Sequence, residues 1–282
     1  MGTSTSSSGP ASNIPMDPPW LDDINAGSGG IPNIDTESDG ESTVEQQAPE
    51  TTKPEELAPR ARFKMARQNL GEFAQTGSRE SFKKAAGYYS KKGMGGASNV
   101  AKRMKPSANA ISGLVSFLRD VQNNATEQLQ QWVKDLMSQE PSVEEVADAI
   151  IERVTSEGGM IDEESIKNSM ANALSDLYEQ NPEIDFLNLN DDETWNLVEN
   201  FLAYEASHRI QLDIGQLLEG EKLSPKEMVE RTEEMYDYLR AEISAQIQPY
   251  KTAINHPDIN KLNSIIQQAI ESTFLVFEET VE

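Results

Sequence analysis

From residue 60 onward, apolar residues return every three to four positions, which is the spacing of helices that bury one face. Phe63, Ala66, Leu70 and Phe73 form the first such stripe, and Gly77 stops it. Ser78 or Ser81 can cap a second helix through Phe82, Ala85, Ala86 and Tyr89, which ends at Gly93, Gly95 and Gly96. Pro106 predicts a break or kink, beyond which Ile111, Leu114, Val115 and Leu118 continue on one face. Ser142 and Glu145 form a capping box for a helix over 143–156, with Val146, Ile150 and Ile151 on its apolar side and Gly158-Gly159 after it. A further helix carries Ile166, Met170, Leu174 and Leu177 and stops before Asn181-Pro182. Another starts near Asp191, carries Trp195, Val198, Phe201 and Leu202, and runs to Leu217-Leu218. Ser224 and Glu227 make a second capping box, with Pro225 at the first helical position and an expected end before Pro249. The last stripe, from Ile259 to about Phe277, includes Leu262, Ile266, Ile270 and Phe274. No alternating stretch of useful length argues for a strand, so the expected fold is all-α with a bundle-like body.

Residues 1–59 lack this periodicity. They hold 8 Ser, 6 Gly and 8 Pro, a single aromatic (Trp20), and 11 acids against one base. Too little apolar area is available there to offset chain entropy, so a long disordered N-terminal tail is expected. Charge then divides the rest. Residues 60–105 carry 12 bases and two acids, whereas 106–282 carry 35 acids and 11 bases, within a chain of net charge −24. The expected organisation is therefore an acidic tail over 1–59, a basic helical segment over 60–105 and an acidic all-helical domain over 106–282.

The basic segment has two readings. It can pack against the acidic helices, or it can grip a polyanion, although the overall negative charge opposes nucleic-acid binding at long range. The candidate surface is Lys83, Lys84, Lys91, Lys92, Lys102 and Arg103, with Gly95 and Gly96 offering backbone N–H groups where a helix begins. A simple turn between helices is the plainer explanation of the glycines.

No catalytic set emerges. There is no cysteine, and the two histidines, His208 and His256, are far apart. Thiolate metal sites, disulfides and cysteine nucleophiles are thereby excluded, no metal site is expected and no cofactor is called for. Nucleotide-binding glycine motifs are missing as well. His208 reads as a packing or surface residue, and Trp132 and Trp195 as core. No segment reaches the roughly 18 apolar residues of a membrane span. The lack of cysteine fits a cytoplasmic protein.

Two features of the tail carry possible chemistry. Pro18-Pro19-Trp20-Leu21 is an apolar island that could anchor a partner. Gly2 follows Met1, and removal of the initiator exposes its amine. An α-amine, with a pKa of roughly 7.7–8.0, is far more often unprotonated near neutral pH than a lysine at about 10.4. Glycine adds no bulk, so the terminus is suited to acylation inside another protein's pocket. A flexible stretch of this length spans about 40 Å.

The opening MGTSTSSSGP with Pro18-Pro19-Trp20-Leu21-Asp22, then Arg62-Phe63-Lys64-Met65-Ala66-Arg67, Gly87-Tyr88-Tyr89, Gly93-Met94-Gly95-Gly96 and Arg103-Met104, resembles the QatB family of the bacterial Qat anti-phage system. The resemblance covers roughly residues 1–120. It implies a helical, non-enzymatic component encoded beside an ATPase, a QueC-like enzyme (QatC-type) and a TatD-like nuclease. It further implies that the QueC-like enzyme, which activates a 7-deazaguanine carboxylate with ATP, is the partner and that Gly2 is the acceptor. A helical scaffold or adaptor, and a nucleic-acid-sensing module using residues 60–105, remain as alternatives.

Overall fold

A computed structural model describes residues 61–155, 161–215, 223–253 and 259–281. The disordered-tail expectation, with Gly2, Pro18, Pro19, Trp20 and Leu21, lies outside the described residues. So do Gly158-Gly159, Leu217-Leu218 and His256. Among the described residues there are helices and turns and no strands. Ten α-helices follow in order: α1 (Lys64–Thr76), α2 (Arg79–Tyr88), α3 (Ala97–Arg103), α4 (Lys105–Gln122), α5 (Glu127–Met137), α6 (Val143–Val154), α7 (Ile161–Gln180), α8 (Asp191–Ile214), α9 (Pro225–Ala253) and α10 (Ile259–Glu278). A π-helical turn, Tyr89–Met94, joins α2 to α3.

Helix ends follow local chemistry. Gly77 closes α1 in the left-handed conformation at φ 67°, and its N–H returns to the Phe73 carbonyl. The Ser78 hydroxyl accepts from the Ser81 N–H and starts α2. Reciprocal capping boxes open α6 (Ser142 and Glu145), α8 (Asn190 and Glu193) and α9 (Ser224 and Glu227). The break expected at Pro106 is present: α3 ends at Arg103, Met104 stands between the helices, and Pro106 sits in the first turn of α4, where its missing N–H costs nothing. Pro249, by contrast, does not end α9, because the helix continues to Ala253. Only the last turn lies beyond the proline, so a single carbonyl loses its intrahelical donor. The sequence reading puts Trp132 on a helical stripe but gives α5 no bounds, although Thr126 caps it through the Leu129 N–H.

One hydrophobic core runs from Phe63 to Phe277. The reversal of charge near residue 105 has no counterpart in the packing, because α10 lies against α2, α3 and α4 as well as α9. Phe277 meets Phe82 edge-on at 6.2 Å, and Phe274 meets Tyr89 at the same distance. The end of α10 is also tied by polar contacts. Ser90 donates to Glu278 at 2.5 Å, and Lys91 donates to the Val281 carbonyl at 2.8 Å. The cation thus sits at the negative end of the helix dipole. Gly93 is required by the same fit, since a Cβ there would stand 2.3 Å from the Phe63 ring.

Candidate functional site

Helix α8 is the axis of the fold. It packs along α7 and α9, with α4 and α1 on further sides, and its buried residues cover most of its surface, leaving the strip of Tyr204, His208, Gln211 and Leu212 partly exposed. A helix buried over most of its surface would ordinarily be apolar there. This one carries Glu205, Arg209 and Asp213 at successive i, i+4 steps, and all three are buried. Such charges persist inside only with partners.

The partners come from five other elements. Glu205 is wholly buried and accepts three hydroxyls: Ser107 of α4 at 2.5 Å, Ser165 of α7 at 2.8 Å and Ser169 of α7 at 2.9 Å. The Arg209 guanidinium stands 3.9 Å from the same carboxylate. Two turns on, Asp213 accepts from the Tyr89 hydroxyl at 2.8 Å and faces Arg103 at 3.6 Å. Arg67 of α1 donates to the Asp213 carbonyl at 3.2 Å. Burial first, and the Asp213 charge second, push the Tyr89 hydroxyl well above the ordinary tyrosine range. Nearly two turns toward the start of α8 from Glu205, Glu199 pairs with Lys251 of α9 at 2.5 Å.

His208 borders this seam half-buried. Its Nδ1 is 3.1 Å from the Ser169 hydroxyl oxygen. Ser169 has one hydrogen and gives it to Glu205, so Nδ1 carries the proton that Ser169 accepts. Burial lowers the His208 pKa from 6.5, more than the neighbouring Glu205 raises it. The histidine therefore packs as a neutral ring. Beside it, Tyr204 and Tyr236 stack at 4.1 Å and both donate to Asp176, at 3.0 and 2.7 Å.

The sequence-derived cations are distributed unevenly. Lys91 is engaged by Val281, Arg103 turns inward to Asp213, and Lys84 pairs with Glu80 on its own helix at 3.9 Å. Lys83 is half-buried, and its carbonyl accepts from Thr280. Lys92 and Lys102 are exposed. Gly95 and Gly96 both take positive φ, at 78° and 118°. The Asn99 side chain donates to the Met94 and Gly95 carbonyls there. Trp195 is buried, and Trp132 packs half-buried, edge-on to Phe117 at 5.4 Å.

Sequence reasoning missed the Glu205–Arg209–Asp213 seam. Its signal was present: alternating charges four residues apart on a helix with no polar face, opposite Ser165 and Ser169 at the same spacing. Among the described residues no group of three or more His, Asp or Glu is arranged to hold a metal ion. No described helix is long and apolar enough to cross a membrane.

These features define an all-helical protein wrapped about one central helix, with a polar seam that fixes the register of its neighbours. The chain belongs to the QatB family: the model of the Qat anti-phage system associated protein QatB matches residues 95–277. It is thus a component of an anti-phage defence system. The matched stretch lies mostly beyond the motifs that first carried the resemblance. It contains Gly95, Gly96, Arg103 and Met104 of them and takes in α3 to α9 with nearly all of α10. No curated protein and no solved structure matches the chain.

Proposed function

We propose that this chain is a protein substrate and binding partner of a QueC-like, ATP-dependent enzyme, and that the Gly2 amine is the acceptor of a 7-deazaguanine-type nucleobase. In this reading the enzyme activates the nucleobase carboxylate as an acyl-adenylate. The neutral amine of Gly2 attacks the carboxyl carbon, an amide forms, adenylate leaves, and the amine gives up a proton. The observation that carries the reading is Met1-Gly2 ahead of a Ser-, Gly- and Pro-rich stretch in a member of the QatB family. The amine offers low bulk and a pKa near neutrality, and the stretch offers reach. Trp20-Leu21 with Pro18-Pro19 would add a docking anchor on the enzyme. The operon ATPase and TatD-like nuclease would be further partners, and the complex would work in the cytoplasm without a membrane.

Intact-mass measurement after co-expression with the operon tests this. The expected result is a nucleobase-sized addition on the N-terminal peptide, abolished by Gly2→Phe. An unmodified Gly2 in cells whose defence is intact would overturn it.

A second reading, the helical scaffold, is favoured by the position of the family match, which covers the body and omits the tail. Deleting residues 2–59 separates the two. Defence survives the deletion if the body alone is the working part, and is lost if Gly2 is the acceptor. The nucleic-acid reading has less to stand on, because Lys91 and Arg103 are held by Val281 and Asp213.

A further inference from the structure

Helices α6 and α7 do not close fully over each other. Between them lies a surface groove of about 380 Å³, far more than the roughly 30 Å³ of one water and enough for side chains. Its floor is apolar: Val143, Ala147 and Ile151 from α6, Leu174 and Tyr178 from α7, and Phe186 from the following loop. Its rim is acidic. Glu144, Asp148 and Glu179 line it, all three are exposed, and no Lys, Arg or His lines it. None of the three is in an ion pair with another described residue, in contrast to Glu80, Glu230 and Glu234 elsewhere on the surface. An apolar floor under unpaired carboxylates fits an occupant of opposite charge.

We propose that this groove is a docking site for a basic amphipathic helix of a partner protein, whose apolar side chains fill the floor while its Lys and Arg side chains meet Glu144, Asp148 and Glu179. A second copy of the chain is a poor occupant. A self-complementary contact across a two-fold axis would set each acidic rim against its twin. The groove lies wholly within the residues that match the family. The proposal does not rest on the chemistry assigned to Gly2.

The chain has no cysteine, so Ala171→Cys places a single thiol on the groove wall for an environment-sensitive fluorophore. The probes are a synthetic amphipathic helix of leucine and lysine, and its counterpart of leucine and glutamate. The labelled full chain should respond saturably to the first and not to the second. The triple variant Glu144→Gln, Asp148→Asn, Glu179→Gln should weaken the response about tenfold, the sum expected of three modest ion pairs. A charge-matched control on α9, Glu230→Gln, Glu233→Gln, Asp237→Asn, should change it less than about twofold. Circular dichroism verifies that each variant is folded. Equal binding of the two peptides, or equal weakening by the control, would overturn the proposal by showing attraction to overall charge alone. A label that responds to protein concentration without peptide would overturn it in favour of a second copy.

Discussion

Helix α8 and helix α5 illustrate two ways of holding a helix. Fifteen residues of α8 are buried, over most of its surface, and they include Glu205, Arg209 and Asp213. Helix α5 buries only Leu129, leans Trp132 and Leu136 on the core, and leaves Met137 half-exposed. For α5 the stabilisation comes from one apolar stripe and a cap. For α8 the apolar area is larger, but the buried charges demand that α4, α7 and the π-turn deliver hydroxyls at the right places. Apolar burial tolerates sliding; a carboxylate that needs three hydroxyls does not. The seam therefore specifies which helices meet and in what register.

Removing the centre of the seam should produce the largest effect. Glu205→Ala leaves Arg209 and three serines without their shared acceptor, and chemical denaturation should record a loss of about 3–5 kcal/mol. If the loss is no larger than for an exposed carboxylate, the seam contributes nothing to specificity. Trp132→Ala should cost about 1–2 kcal/mol, since only part of the ring is buried. Hydrogen exchange should rise across Glu127–Met137 and leave α8 protected. Asn190→Ala removes the cap of α8 and should cost about 1 kcal/mol. The smallest effect is the pH dependence set by His208. Its imidazole protonates near 6.5 when unfolded and only at lower pH when buried. Stability is therefore complete above 6.5 and declines as pH falls through the folded value. His208→Gln should flatten that slope in denaturation curves collected on both sides of pH 6.5.

The sequence made most helices legible because their signals are local. The capping boxes at Ser142 and Ser224 and the stop at Gly77 depend on neighbours within a few residues, and the structure keeps them. Pro249 misled because a proline near a helix end removes little, and whether the helix continues is settled by packing. The bounds of α5 are hard to read beyond Trp132 because its stripe is short and broken by polar residues. The site was less legible. Nothing near Glu205 in the sequence reveals Ser107, 98 positions away, and the pairing of Arg103 with Asp213 crosses 110 positions. Charge totals suggested that basic and acidic segments attract. They could not say that Lys91 would meet a backbone carbonyl rather than a carboxylate.

The clasp between α10 and the π-turn also sets an order of events during synthesis. Ser90 and Lys91 emerge from the ribosome nearly two hundred residues before Glu278 and Val281, which they grasp. At roughly 5–20 residues per second, the faces of Phe82 and Tyr89 wait on the order of ten seconds or more for Phe277 and Phe274. During that interval the first helices expose greasy rings under a dense positive charge, to which anionic chains in the same cell have access. A chain shortened before α10 should therefore keep these rings uncovered and bind an apolar dye that the full chain does not, which makes the last helix the latch of the fold.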